Sequence, residues 1–258
     1  MITLRSLRPP QAPRAAFGTL VQAEFRLAWR TPSALAGGLG LPLLLLVIYG
    51  LLPPFHQSLP ELGGLTLFDV YFPVLLALVI AVLGTGLPGP LATYREQGIL
   101  RRLSTTPVPP AWVLGAQLLV NMALAVLALL ILVVVGMAAF GVGGPKSAGG
   151  LVLALLLSIA AIFAFGLCIG AVARGATMAG LLGRATFFAL IFFAGLWVPR
   201  VAMPSMLRAI SDWTPLGAAV EAIQSSLQTG FPPLRSLLVL VAYAAVFGWL
   251  AVRFFRWE

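Results

Sequence analysis

Apolar residues run along this chain in long unbroken stretches separated by short polar breaks. Runs long enough to cross a hydrocarbon core of about 30 Å, which takes about 20 helical residues, fall at 34–52, 67–87, 111–140, 149–172, 178–198 and 235–253. They are continuous rather than alternating, so they predict membrane-crossing helices and not the short strands of a barrel. The run at 111–140 exceeds the minimum length and predicts a helix that tilts or projects beyond the bilayer. The fold class expected is an all-α polytopic membrane protein with six transmembrane helices.

Two stretches outside these runs are also periodic. Phe17, Val21, Phe25, Ala28 and Trp29 recur at i, i+4, i+8, i+11 and i+12, with Thr19, Gln22, Arg26 and Arg30 on the opposite side. That spacing predicts an amphipathic helix over 17–30. Arginine on one face and aromatic residues on the other suit a helix lying in the membrane interface. Packing against another protein is the other reading. Thr31-Pro32 would end it. Residues 199–234 are broken by Pro199, Pro204, Pro215, Pro232 and Pro233. The amphipathic pieces between them, 203–212 and 216–229, predict short re-entrant or interfacial helices before the last span. Trp197 and Trp213 suit an aromatic belt.

One polar island interrupts the apolar pattern, from Tyr94 to Pro110. It holds Arg95, Glu96, Arg101 and Arg102 within eight residues. Pro88-Gly89-Pro90 would end the second span, residues 91–103 can form a helix, and Ser104-Thr105-Thr106-Pro107 would stop it. Pro109-Pro110 would open the third span, where proline is harmless. The pattern predicts a short helix clamped between two spans. Its charges suit either a solvated retention loop or a docking surface.

Composition narrows the class. The chain is 60% hydrophobic and 9% charged, against about 25% charged in soluble domains. The net charge of +9 would suggest nucleic acid in a soluble protein. Here it reads as basic residues flanking spans, and no nucleic-acid partner is expected. With the N-terminus inside, twelve of the sixteen basic residues fall in cytoplasmic segments, Arg174 and Arg184 among them, and four (Lys146, Arg200, Arg208, Arg235) fall outside. The bias predicts a multi-pass plasma-membrane protein with both termini cytoplasmic. The Pro-rich residues 1–16 read as a disordered cytoplasmic tail without a signal-peptide core, and 17–258 as a single membrane domain. Fifteen arginines against one lysine suggest a GC-rich bacterial genome.

Catalytic chemistry finds little footing. Of the acids Glu24, Glu61, Asp69, Glu96, Asp212, Glu221 and Glu258, none falls in the middle of a predicted span, with Asp69 at the outer edge of the second. An ion-driven carrier would want such a group. His56 is the single histidine, in an outer loop, which excludes an HExxH zinc site and a histidine-based triad. Cys168 is the single cysteine and reads as core packing. Gly141-Val142-Gly143-Gly144-Pro145-Lys146-Ser147 approaches a phosphate-binding loop, but Pro145 stands where glycine must precede the lysine. No catalytic residue, metal or bound cofactor is expected, and any ATP must be bound by another chain.

The string YREQGILRRLSTTPVPPAWVLGAQLL resembles the first cytoplasmic loop of type-2 ATP-binding-cassette transporter permeases, on Glu96, Gly98, Arg101, Arg102, Thr106, Pro107, Leu114 and Gly115. A second string, FFAGLWVPRVAMPSMLRAISDWTPLGAAVEAIQ, resembles the family's signature near the fifth span, on Gly195, Leu196, Trp197, Pro199, Met203, Pro204 and Pro215. Arg95 departs from the acidic residue often found there. The resemblance covers about 17–253 and implies a permease that pairs with a second permease copy, identical or not, and with a separate ATPase that uses ATP and Mg. It implies that 91–106 is the coupling segment and that Arg95, Glu96, Gly98, Arg101 and Arg102 form the ATPase contact. The substrate path is expected between permease copies, with Phe187, Phe188, Phe192, Phe193, Gly195 and Trp197 as candidate lining. Gly84, Gly86, Gly180 and Gly183 would let helices approach closely. The acid-free interior favours amphiphilic cargo such as a drug or lipid. Export of a polysaccharide or lipid-linked glycan is the alternative, and a membrane enzyme or assembly factor a more distant one.

Overall fold

The computed structural model describes residues 13–30, 36–60, 64–98 and 111–254. The chain runs through α1 (Pro13–Arg30), a π-helical turn at Ala36–Gly40, α2 (Leu41–Leu51), α3 (Leu67–Gly86), α4 (Pro88–Glu96), α5 (Ala111–Phe140) and α6 (Ala148–Val172). It continues through α7 (Ala176–Ala194), α8 (Ser205–Trp213), α9 (Pro215–Gln228) and α10 (Leu234–Phe254). The described residues are almost all helical and hold no strand beyond an isolated bridge, Ser58 to Thr66.

Five helices among the described residues are long and apolar enough to cross a membrane: Leu67–Glu96, Leu114–Phe140, Ala148–Val172, Ala176–Ala194 and Leu234–Phe254. The first of the six expected spans contains instead the shorter apolar helix Gly38–Leu51. At 1.5 Å per residue its length is about 21 Å, short of the about 30 Å hydrocarbon core. Residues 34 and 35 of that expected span lie outside the described residues.

α3 is the centre of the fold. From Phe68 to Thr85 nearly every side chain is buried, against α2, α5, α6, α7 and α9. Its start is fixed by a capping box. Asp69 N donates to Thr66 Oγ1 at 3.1 Å, and Asp69 Oδ2 accepts from Thr66 N at 3.0 Å and from Thr66 Oγ1 at 2.7 Å. Asp69 is thereby committed to the helix start. The Asp69 carbonyl accepts from Gln228 Nε2 at 2.8 Å, which fastens the end of α9 to the same level. Ser147 caps α6, accepting from Gly150 N at 3.1 Å, and its own N–H donates to the Ser226 carbonyl. α6 lies along α10, the most extensive pairing in the structure, and buries Cys168 in its core as expected.

The second span does not stop at Pro88-Gly89-Pro90. Helical backbone continues through Leu87, and Pro88 opens α4 at its first position, the place where proline is tolerated. Pro88 and Pro90 cannot donate to the carbonyls of Gly84 and Gly86 four residues back. The bonds around the break are long: Leu87 N to Gly84 O and Leu91 N to Leu87 O, both 3.4 Å. Two neighbouring helices close on this joint through glycine. A Cβ at Gly166 of α6 would collide with the Gly84 carbonyl oxygen, and one at Gly183 of α7 would lie 2.5 Å from the Thr85 oxygen. Backbone-to-backbone approach of this kind needs small residues.

Three expectations are corrected here. α7 ends at Ala194 and not at 198, because Gly195 takes a left-handed φ of 95° and caps it, as glycine does past a helix end. The helix expected over 91–103 begins at Pro88 and closes at Glu96, with Gly98 at a left-handed φ of 66°. The piece at 216–229, expected to be re-entrant or interfacial, is not interfacial. α9 buries most of its length, from Pro215 to Ser226, among α3, α6, α7 and α10. His56 is also more than a solvated loop residue: its Nε2 lies 2.8 Å from the Gly50 carbonyl, and its ring stacks on Phe68.

Candidate functional site

The last turn of α4 is a point where three other elements meet. Tyr94 Oη donates to Glu24 Oε1 of α1 at 3.0 Å. Arg95 Nη2 donates to the carbonyl of Ala173, the residue that closes α6. Glu96 Oε1 accepts from the N–H of Ala176, the first residue of α7, at 2.8 Å. The N-cap position of α7 is Gly175, which offers no side chain of its own, so Glu96 supplies the cap from 80 positions away.

The electrostatics of this arrangement are directional. The C-terminal end of a helix carries partial negative charge and the N-terminal end partial positive charge. Arg95 sits on the closing carbonyl of α6 and Glu96 on the opening N–H of α7. Each charge thus meets the helix end of opposite sign across the turn 173–175. A Cβ on Gly175 would collide with Glu96 Oε1, so glycine at that position leaves room for the carboxylate.

α1 is held at the same level. Phe17 packs edge-on against Trp112 at the start of α5, ring centroids 5.7 Å apart. Val21 is half-buried, whereas Phe25 is 47% exposed and Arg26 is exposed. Trp29 and Arg30 belong to the last turn of α1. On the predicted apolar face, Phe17 is thus docked on α5 while Phe25 is exposed. Burial, the larger influence, raises the Glu24 carboxyl above its ordinary value, and the Tyr94 hydrogen bond works in the opposite direction. A raised folded value means that this group favours folding below the unfolded glutamate value of about 4.3. That contribution is lost as pH rises through the raised value. The thermal midpoint of the purified chain, followed from pH 4 upward by intrinsic fluorescence, is expected to fall more steeply in the parent than in Glu24→Gln. Superimposable profiles would remove Glu24 from the account.

The sequence-predicted contact residues therefore separate. Arg95 and Glu96 each hold a backbone group of the chain, Arg95 half-buried and Glu96 exposed. Gly98 terminates the helix, Gln97 is exposed beside it, and Arg101 and Arg102 lie outside the described residues.

The candidate path residues also separate. Phe187 is half-buried at a cleft of about 340 Å³ between α3 and α7. Phe188 is 58% exposed, Phe192 38% and Trp197 64%. Phe188 and Phe192 lie on α7 and Trp197 just beyond its end, all facing away from the core. Gly195 has a conformational role as the α7 cap. Met178 and Leu181 widen the outward apolar surface of α7.

Sequence reasoning misses two features. Arg200, Asp212, Glu221 and Arg235 form a linked set on the segments that run from the end of α7 to the first turn of α10. Arg200 pairs with Asp212, Arg235 bridges Asp212 at 2.9 Å and Glu221 at 2.7 Å, and Ser236 Oγ donates to Glu221 at 2.5 Å. The second is Arg184, which stands inside α7. A charge within the apolar run at 178–198 is the available signal, although the charge bias counts it among the cytoplasmic residues.

A comparison with protein-family models matches residues 15–227 to the family described as ABC-2 type transporter. No curated protein matches the chain.

Proposed function

The chain belongs to the ABC-2 type transporter family, and on that premise we propose that this multi-pass permease subunit exports an amphiphilic or hydrophobic cargo under the drive of a separate ATP-binding-cassette ATPase. The ATPase binds ATP and Mg. A second permease copy completes the path, and lipid surrounds both. Both termini face the cytoplasm of the inner membrane, consistent with the arginine bias, and α4 is the segment on which the ATPase acts.

The observation that carries this reading is the three-way attachment of α4. A displacement of Tyr94–Glu96 is passed to α1 through Glu24, to the end of α6 through Ala173 and to the start of α7 through Ala176. The ATPase contact then falls to the exposed tip after Glu96 and to Arg101 and Arg102, while Arg95 and Glu96 carry the motion inward.

The charge-exchanged double variant Arg95→Glu with Glu96→Arg tests this. It keeps the net charge but puts like sign against like at both helix ends, where each favourable term is worth about 0.3–1 kcal/mol. With the co-purifying ATPase in proteoliposomes, ATP hydrolysis is expected to persist while cargo export falls about tenfold, a loss of about 1.4 kcal/mol in coupling. Export unchanged from the parent, with folding intact, would sink the coupling role. Gly175→Ala is expected to show the same phenotype in weaker form, by displacing the Glu96 carboxylate.

A further inference from the structure

Exposed Arg184 borders the α3–α7 cleft, and no described residue pairs with its charge. Arg184 lies eight residues into α7, about 12 Å along the axis from Ala176. An ionisable side chain at such a position normally has a partner. None of the ion pairs among the described residues includes Arg184, and no hydrogen bond among them does either. Every described acid is engaged elsewhere: Glu24 with Tyr94, Asp69 in the α3 capping box, Glu96 on Ala176, and Asp212 and Glu221 in the outer arginine network. A second identical copy would bring the same acids, each already holding a partner within its own chain, and another Arg184.

The cleft has two chemically different ends. A Cβ at Gly180 would lie 3.7 Å from Arg184 Nη1, so the guanidinium reaches back one turn toward Ala176. Beside it the wall is backbone: Gly86 and Gly89 have open space where a side chain would stand. Val82 and Phe187 line the opposite end. Along the cleft Val82 precedes Gly86 on α3 and Phe187 follows Arg184 on α7, so the apolar pair is set off from the guanidinium. Thr85 Oγ1 is spent on the Ala81 carbonyl at 2.6 Å, which leaves Arg184 as the cleft's charged donor. An arginine merely reaching for the interface needs no such cavity.

We propose that this cleft binds an anionic amphiphile, its headgroup on Arg184 among the glycines and its apolar part along Val82 and Phe187. This rests on reading the chain as a permease for amphiphilic cargo and narrows the cargo to one bearing negative charge. A guanidinium recognises phosphate or carboxylate through paired, charge-assisted hydrogen bonds.

The test uses the full chain in neutral detergent and native mass spectrometry with three probes. These are a phosphatidylglycerol, a phosphatidylcholine with the same acyl chains, and inorganic phosphate. The parent is expected to retain phosphatidylglycerol about tenfold more tightly than phosphatidylcholine, as a charged hydrogen-bonded contact allows. Arg184→Gln should abolish the preference and Arg184→Lys keep most of it. Gly86→Leu, which fills the cleft without touching the charge, should weaken both lipids, and inorganic phosphate should not be retained. Equal retention of the two lipids by the parent, or a preference that survives Arg184→Gln, would overturn the proposal. So would retention of inorganic phosphate at the level of the lipid, or loss of dimer in Arg184→Gln with lipid preference intact. Binding is read without the ATPase. A site that behaves as expected in a chain that drives no export would defeat the export reading alone.

Discussion

Replacing Asp212 with alanine is expected to destabilise the permease by about 3–5 kcal/mol, the usual result of stranding a buried charge. Asp212 is the hub between Arg200 and Arg235. The Arg200 side chain is only 12% exposed and that of Asp212 15%, whereas Arg235 is 43% exposed. Without the carboxylate, the Arg200 guanidinium keeps its bond from Nη1 to the Gly217 carbonyl at 3.1 Å, and its Nε already has no partner. Arg235 retains Glu221, whose carboxyl is acted on by two opposed influences: burial would raise it, and the hydrogen bonds of Arg235 and Ser236, with the charges of Arg200 and Arg235, hold it below its ordinary value. Arg235→Ala is accordingly expected to cost about 1 kcal/mol or less, in the range of exposed pairs. The double variant Arg200→Met with Asp212→Leu should recover much of what Asp212→Ala loses. Thermal midpoints of the purified variants give the ranking. Equal losses for Asp212→Ala and Arg235→Ala would show that the set behaves as a surface network.

Gly166→Ala should destabilise the helix bundle by about 1–3 kcal/mol, the range for overpacking a filled core, and Gly166→Leu should prevent assembly. The obstruction is the Gly84 carbonyl oxygen, which stands well inside contact distance of the new Cβ. Backbone cannot swing aside as a side chain can, so α3 and α6 must separate. Gly149 on the same helix is the control: nothing lies within 4 Å of a Cβ placed there, and its alanine variant should change stability by no more than about 0.5 kcal/mol. Monodispersity and thermal midpoint in detergent distinguish the two. An unaffected Gly166→Ala would mean that α3 and α6 meet more loosely than their backbones indicate.

The spans are legible because a bilayer imposes a length and an apolarity that a single sequence displays directly. Helix α5 falls at 111–140 on both readings, and α6 and α10 agree to within a residue at each end. Ends marked by backbone conformation are harder. The apolar run continues through Leu196, Trp197 and Val198, so hydropathy carries α7 past the left-handed Gly195 that stops it. Pro88 reads as a terminator because proline withholds a backbone donor, but helical backbone continues across it as the first residue of α4. The roles of Arg95 and Glu96 are not legible. Their partners lie 78 and 80 positions away and are backbone groups, so no residue type announces them. The Asp212 network escapes for the same reason, as its members come from four separate segments that a count of outside charges treats as independent.

The joint at Leu87 has a thermodynamic consequence. Reorienting an ordinary helix breaks its hydrogen-bond ladder, and each buried bond lost costs about 1–3 kcal/mol. Here the ladder is already open, because Pro88 and Pro90 withhold two donors and the bonds that remain are stretched to 3.4 Å. Gly166 and Gly183 meanwhile pack so near the carbonyls of Gly84 and Thr85 that neither position has room for a side chain. The joint is thus packed closely on its neighbours while few hydrogen bonds of its own hold its angle. On the coupling proposed above, such a pivot would absorb little of the work done on α4, and most of it would reach α6 and α7.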